Sequence, residues 1–368
     1  MSTDIDKFVV PWVRAAAPYS DRHMEFAWSH PEVLRMMSNE NPIPPSPAVL
    51  EAIQQAAQLG NLYPDSGPAL RQRLGEMAGF GKENVILGNG STDIIDIIIT
   101  TFAAPGDEVL IPVPTFSMYE ARAKIRGAVP VFVPLRPDFS WDVDAILAAI
   151  TPKTKLLFLC SPNNPTGIQI PLDDLKRILS AGIPTVVDEA YYELENEPRT
   201  LAYLIREYPN LIISRTFSKA YGLAGLRVGY AIADAKVVDY MMRVRIPWNV
   251  SLLALAAAQA ALDDEASFLE KRRTIIEGRQ YLCDEINKIP GLRAFPSEGN
   301  FVLIDASSLG KTSEQIRDEL IERKVFIRPM SPHHMGQGFV RVTVGTPEQN
   351  EFFLQVLRAY VEEVRKGK

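Results

Sequence analysis

The chain is expected to belong to the α/β class, with a mainly parallel sheet in a large domain and a small α+β domain at its C-terminus. Three observations predict this. After about Pro47, short β-rich runs alternate with helical patterns, the order produced by helices that cover a mainly parallel sheet. From Ser251 the composition turns alanine-rich and charged, and beyond that stretch three further strand-like runs are interspersed with helical ones. The 368 residues exceed what a single small core accommodates, so the chain is divided at 1–45, 46–255 and 256–368.

Residues 1–45 hold several prolines and little periodicity, and read as an arm that packs on the small domain and partly covers the site. STDIIDIIITTFAA, residues 91–104, opens on Ser and Thr and continues in isoleucines; its length favours a helix beginning near Ser91 over a strand. DEVLIP, PVFVPL, KLLFLC, IPTVVD and NLIIS are short runs bounded by Pro, Gly, Asp or Asn, and each predicts a strand. Helical patterns such as SMYEARAKIR separate several of them. The stretch LLALAAAQAALDDEASFLEKRRTIIEGRQYLCDEINK predicts one long or two abutting helices, with the domain hinge near it. NFVLIDA, KVFIRPM and FVRVTVG then predict the strands of the small domain, with helices at 312–323 and 347–365. No internal repeat is visible.

Composition narrows the function. Hydrophobic residues at 46% and charged residues at 23% lie in the ordinary globular range, which argues against disorder. A formal net charge of -6 gives no electrostatic reason to expect nucleic acid or an acidic membrane as partner, so small molecules are expected instead. No apolar stretch approaches the ~20 residues that span a bilayer, and MSTDIDKFVV lacks a basic-then-apolar signal pattern; the chain reads as cytoplasmic. Cys160 and Cys283 stand far apart without C-x-x-C spacing, so neither a zinc site nor a disulfide framework is expected, and no metal is assigned.

The chemistry concentrates in a few strings. SPNNPTG (161–167), VVDEAY (186–191) and RTFSKAYGLAGLRVG (215–229) put an asparagine, an aspartate, a tyrosine and then a lysine in fixed order, with small and hydroxylated residues crowding that single lysine. GNGSTD (88–93) places a glycine and two hydroxyls at the opening of a helix, where backbone N–H groups favour an anion. Taken together these strings resemble the fold type I pyridoxal-phosphate enzymes, and more narrowly the histidinol-phosphate aminotransferase family. The likeness runs from about Val13 to the C-terminus. It implies the aspartate aminotransferase-like fold of PLP-dependent transferases, pyridoxal 5'-phosphate as cofactor and a homodimer.

By that resemblance Lys219 is the covalent anchor of the cofactor and, once released, the acid and base that moves a proton at the substrate's Cα. Such a lysine must be neutral, and burial near Arg227 and the cofactor lowers its pKa. Asp188, ending the apolar run IPTVV, is the carboxylate that keeps the cofactor's ring nitrogen protonated. Asn164 and Tyr191 match the positions that hydrogen-bond the phenolic oxygen. Tyr119 matches the aromatic that stacks on the ring. Gly90, Ser91, Thr92, Thr216, Ser218 and Arg227 are assigned to the phosphate, with Gly222, Gly225 and Gly229 keeping the lysine loop compact. Tyr63 resembles the tyrosine that reaches the phosphate of the neighbouring subunit.

The substrate side is implied in the same way. Arg341 matches the arginine that grips an anionic substrate end, and Arg328, thirteen residues earlier, resembles the second such arginine. Two guanidinium groups would let one pocket accept both an amino donor and 2-oxoglutarate. Tyr19, Asn39 and Glu40 resemble the arm that closes over substrate, and Asn164 belongs to this group as well. The sequence departs from the family at Thr92, where an acidic residue is usual, with Asp93 and Asp96 following instead, and in SPHHMGQG (331–338), where His333 and His334 are given no role. The expected function is a ping-pong aminotransferase, with L-histidinol phosphate the leading donor and 2-oxoglutarate the acceptor. Aromatic or other amino acids as donors, or decarboxylation of the threonine-phosphate type, are the alternatives. A cofactor-binding regulator would want a DNA-binding segment, and a nicotinamide dehydrogenase a G-x-G-x-x-G turn after the first strand; neither is present.

Overall fold

The computed structural model describes residues 4–18 and 20–367. Among the described residues twelve strands follow one another as β1 (Leu34–Met36), β2 (Val85–Asn89), β3 (Glu108–Val113), β4 (Val129–Pro134), β5 (Thr154–Cys160), β6 (Thr185–Asp188), β7 (Leu211–Thr216), β8 (Val228–Ala233), β9 (Arg293–Ala294), β10 (Phe301–Asp305), β11 (Val325–Pro329) and β12 (Phe339–Thr343). Seven form the large sheet in the order β2-β8-β7-β6-β5-β3-β4, and five the small sheet in the order β1-β11-β12-β10-β9.

In the large sheet β4, β3, β5, β6 and β7 run parallel. Their residues are apolar on both faces because helices cover both sides, and this is why the sequence shows continuous runs such as KLLFLC instead of alternation. On one face the helix Ser91–Phe102 buries Ile94, Ile95, Ile97, Ile98 and Ile99, each side chain contributing on the order of 1.5–3 kcal/mol. That helix begins at Ser91 as expected, with Gly90 in the cap position, and ends at Phe102, two residues short of the run 91–104.

β8 is the exception to the parallel rule. It runs antiparallel to both β7 and β2, so the segment that enters β8 lies at the same sheet edge as the ends of β7 and β2. Arg227, immediately before β8, is thereby carried to the start of the helix Ser91–Phe102. Two glycines permit the approach. A Cβ on Gly229 would lie 2.3 Å from the Ser91 nitrogen, and one on Gly90, whose φ is +80°, would lie 2.2 Å from the Arg227 guanidinium.

The small domain encloses its own core, with Val302, Ile304, Ile327, Val342, Phe353 and Leu357 buried between its sheet and the helices Glu265–Ile286 and Pro347–Lys366. The arm is more than a cover: β1 pairs in parallel with β11, Leu34 opposite Val325, and so supplies an edge strand of the small sheet. The core of the large domain also continues past 255. Ala257, Ala258, Ala261 and Ile275 belong to it, whereas Leu282 and Ile286 belong to the small core. Both cores therefore meet along the helix Glu265–Ile286.

Candidate active site

The carboxyl ends of β3, β5, β6 and β7 open onto one cavity of about 460 Å³ between the two domains, where a doubly wound sheet presents its ligand. Each strand delivers part of the lining: Thr115, Phe116 and Ser117 after β3, Cys160 and Asn164 from β5, Asp188, Ala190 and Tyr191 from β6, and Thr216, Ser218 and Lys219 from β7. Ser91, Thr92 and Arg227 close one side. Arg328, Met330, His333 and Arg341 close the other, with Met37 to Glu40 of the arm above them.

Lys219 sits in the middle of this cluster. Its Nζ donates to the carbonyl oxygens of Asn39 at 3.0 Å and Ser38 at 3.3 Å, and lies 5.8 Å from the centre of the Tyr191 ring. Burial lowers its pKa to about 7, with the Arg341 guanidinium adding to the effect and Arg227 contributing less. Neighbouring Asp188 is 2% exposed. Its Oδ2 accepts from the Tyr119 hydroxyl at 2.7 Å and its Oδ1 from the Ala190 amide at 3.2 Å. Burial pushes this carboxyl up to about 6, and the Tyr119 hydrogen bond opposes the shift.

Asn164 accepts from Arg341, which also donates to the Met37 carbonyl at 2.8 Å. Tyr191 accepts from the Asn39 amide at 3.0 Å. Asn39 itself is 1% exposed, adopts a left-handed φ of 53°, and is tied through its backbone to Thr343. Its side chain is thus committed to Tyr191 and Thr343, holding the arm onto the large domain. Arg328 and Arg341 stand opposite each other in the register of β11 and β12, which brings both to the cavity. Glu40 pairs with Arg35 at 2.8 Å.

The residues proposed for an anion are assembled together. Arg227, in the left-handed region at φ 57°, donates to Ser218 at 3.5 Å, and Ser218 lies 2.9 Å from Thr216. Asp93 and Asp96 are engaged elsewhere. Asp93 accepts from the Asn89 amide and Asn249, while Asp96 pairs with Arg122 and Arg126. Asp93 lies in the first turn of the helix, but neither acid lines the cavity.

One expectation changes and one falls outside the description. Tyr119 is fully buried in the helix Met118–Ile125, stacked on Phe158 at 4.6 Å, and does not line the cavity; Phe116, in the loop between β3 and that helix, does. Of the aromatics in PTFSMYE, Phe116 is therefore the one that lines the cavity. The signal was in PTFSMYE, where Phe116 precedes the helix and only Tyr119 is placed to turn inward. Tyr63 is 79% exposed, stacks on Trp248 at 4.6 Å, and is not part of this chain's own cavity. Tyr19 lies outside the described residues. His23, Met24 and Trp28, which carry no motif in the sequence, also line the cavity, as does His333, which was given no role. Burial, with Arg328 and Arg341, pushes the His333 imidazole down to about 4, leaving it neutral.

A cofactor with an aldehyde, a basic ring nitrogen and a phosphate fits these residues. The close approach of Arg227 to Gly90, which a side chain at 90 would fill, forms a cradle beside the helix opening. A near-neutral lysine amine and a buried carboxylate lie in the same cavity. Among the described residues no group of three or more acidic, histidine or cysteine side chains is arranged to hold a metal, and no helix is long and apolar enough to cross a membrane. Both cysteines are free.

Residues 31–357 match the family described as aminotransferase class I and II. A histidinol-phosphate aminotransferase of Methanosarcina mazei is 42% identical over 332 residues, covering 89% of this chain and 87% of that protein. The crystal structure of histidinol-phosphate aminotransferase from Sinorhizobium meliloti in complex with pyridoxal-5'-phosphate superposes with a TM-score of 0.85 at 27% identity, covering 97% of this chain and 98% of that one. Aspartate aminotransferase from Thermus thermophilus shares the fold, with a TM-score of 0.84 at 24% identity over 95% of this chain and 99% of its own.

Proposed function

Since this chain belongs to the class I and II aminotransferases, and among them to the histidinol-phosphate aminotransferase family, we propose that it moves the amino group of L-histidinol phosphate to 2-oxoglutarate by a ping-pong cycle. The observation that carries this reading is the meeting of Lys219, Asp188 and the Arg328–Arg341 pair in one cavity. Pyridoxal phosphate, when bound, supplies an aldehyde that links to amines and an electron-withdrawing ring. Everything else is the work of the chain.

Lys219 would anchor the cofactor and would hold and move the proton at the donor's α-carbon. A pKa near 7 suits both tasks, because the amine can be neutral to attack or accept and charged to donate. Asp188 would keep a proton on the ring nitrogen through a charge-assisted hydrogen bond. Asn164 and Tyr191 would donate to the phenolic oxygen, and Phe116 would supply an apolar wall for the ring. Ser91, Thr92, Thr216, Ser218 and Arg227 bind the phosphate, with Gly90 keeping space for it. Tyr63 is assigned to the phosphate of a neighbouring subunit, a role its exposure and its stacking on Trp248 support.

On the substrate side Arg341 takes the anionic end of the acceptor and Arg328 adds a second fork for dianions. Neutral His333, with His23, Met24 and Trp28, makes a mouth of imidazoles, thioether and indole that suits a planar heteroaromatic donor. The test is a donor-by-acceptor panel on the purified holoenzyme. L-histidinol phosphate with 2-oxoglutarate is expected to give the highest kcat/KM, with an oxo product released. Release of carbon dioxide, or a higher kcat/KM for an unphosphorylated aromatic amino acid, would sink the proposed donor.

A further inference from the structure

We infer that Tyr119, which touches neither cofactor nor substrate space, is the positioning residue that holds the Asp188 carboxylate toward the cofactor's ring nitrogen. The inference rests on the cofactor role of Asp188 proposed above. Packing explains the ring of Tyr119 but not its hydroxyl. The ring stacks on Phe158 at 4.6 Å with an interplanar angle of 10°, and meets Phe116 edge-on at 5.6 Å. A phenylalanine would fill the same space. The hydroxyl, buried with the rest of the side chain, has to find a partner, and it donates to Asp188 Oδ2 at 2.7 Å.

This fixes the carboxylate at two points, since the Ala190 amide holds the other oxygen at 3.2 Å. With both oxygens engaged the carboxylate plane cannot swing away from the cavity. The same bond favours the ionised form. Burial works against it, and Glu189, the next residue along the chain, adds a like charge, while Lys219 opposes that effect from across the cavity. Cys160 at the end of β5 and the phenol of Tyr191 also face Asp188, and burial keeps both protonated, with the Cys160 thiol pushed up to about 12. The Tyr119 hydroxyl is therefore the main side-chain donor that keeps a buried carboxylate charged. Without it, a proton shared between Asp188 and a ring nitrogen would move toward the carboxyl oxygen.

The test is Tyr119→Phe, which removes one hydroxyl and keeps the ring. The readout is the 15N NMR shift of ring-labelled pyridoxal phosphate bound to the wild type and the variant at matched pH. The variant shift is expected to move toward the unprotonated limit, while kcat falls about tenfold and the donor KM changes less than about twofold. In the cofactor-free protein the Asp188 carboxyl, followed by 13C NMR, is expected to titrate about one unit higher than in wild type. Unchanged 15N and 13C titrations overturn the inference even if stability or rate falls, because a packing role moves neither. If Tyr119→Phe does not fold, 3-fluorotyrosine at 119, a stronger donor, is expected to move the 15N shift the opposite way, and no movement again overturns the inference. Failure of the wild type itself to link the cofactor at Lys219 would instead refute the proposed function.

Discussion

Lys219 is a surface residue type placed in a buried site, and its titration has a visible consequence. The folded amine loses its proton near 7 instead of near the ordinary 10.5, so between these values the unfolded chain binds the extra proton. Stability of the cofactor-free protein is therefore expected to rise with pH across that window as far as this residue contributes, and denaturant titrations at several pH values check the sign. The rate at which pyridoxal phosphate links to the cofactor-free protein is expected to rise about tenfold per pH unit below 7 and to level off above it, as stopped-flow absorbance would record. Lys219→Ala is expected to keep its fold, by circular dichroism, and to lose turnover. Asp188→Asn keeps the volume but removes the charge and one of the two acceptor oxygens that Tyr119 and Ala190 engage. Its kcat is expected to fall about tenfold to a hundredfold, the worth of one charge-assisted hydrogen bond, while thermal stability of the cofactor-free form does not fall, since an ionised carboxylate no longer has to be buried.

Among the elements, β6 and β7 carry the site between them, and a buried ion pair fastens their ends. Glu189 accepts from Arg215 at 2.7 Å with both side chains almost fully enclosed, and Arg215 also lies over the Tyr192 ring at 3.9 Å. Glu189 follows Asp188 directly, and Arg215 lies four residues before Lys219. Glu189→Gln leaves the Arg215 charge uncompensated and is expected to cost about 3–5 kcal/mol in a urea unfolding measurement. The turn from β2 into the helix Ser91–Phe102 is the second critical element. Gly90→Ala forces a side chain toward Arg227 in a backbone conformation unfavourable to it, and is expected to weaken cofactor binding by about tenfold or more, measured by fluorescence titration. Strand and helix positions were legible because apolar runs and caps are local signals. β2 and β8 were not singled out: VILGN is short and glycine-bearing, and VGYAIA follows a loop whose glycines dominate the pattern.

For the whole molecule, the exposed Tyr63–Trp248 stack is the feature a monomer does not explain. If Tyr63 serves a neighbouring site, mixing Lys219→Ala subunits with Tyr63→Ala subunits rebuilds one intact site per mixed dimer. Refolded together, the two inactive or impaired variants are expected to recover roughly a quarter of wild-type activity by random assortment. No recovery beyond the Tyr63→Ala background would place the tyrosine in its own subunit's service or in none. The arm acts at this scale too. β1 joins the small sheet while Asn39 and Asn41 bond to Tyr191 and to the Lys219 carbonyl, so one short segment couples both domains across the cavity.

By itself the sequence determined the fold class and the order of its motif strings, and through the family resemblance it proposed an anchoring lysine, its carboxylate and the arginines, because each is marked by neighbours a few residues away. The tertiary structure decided the rest. Whether Phe116 or Tyr119 lines the cavity depends on which way a loop and a helix turn after β3. That Asn39 holds Tyr191, that β1 belongs to the small sheet, and that the two cores divide within the helix Glu265–Ile286 depend on pairings hundreds or tens of residues apart. Periodicity reports which residues leave water; it carries no record of which partner they meet when they do.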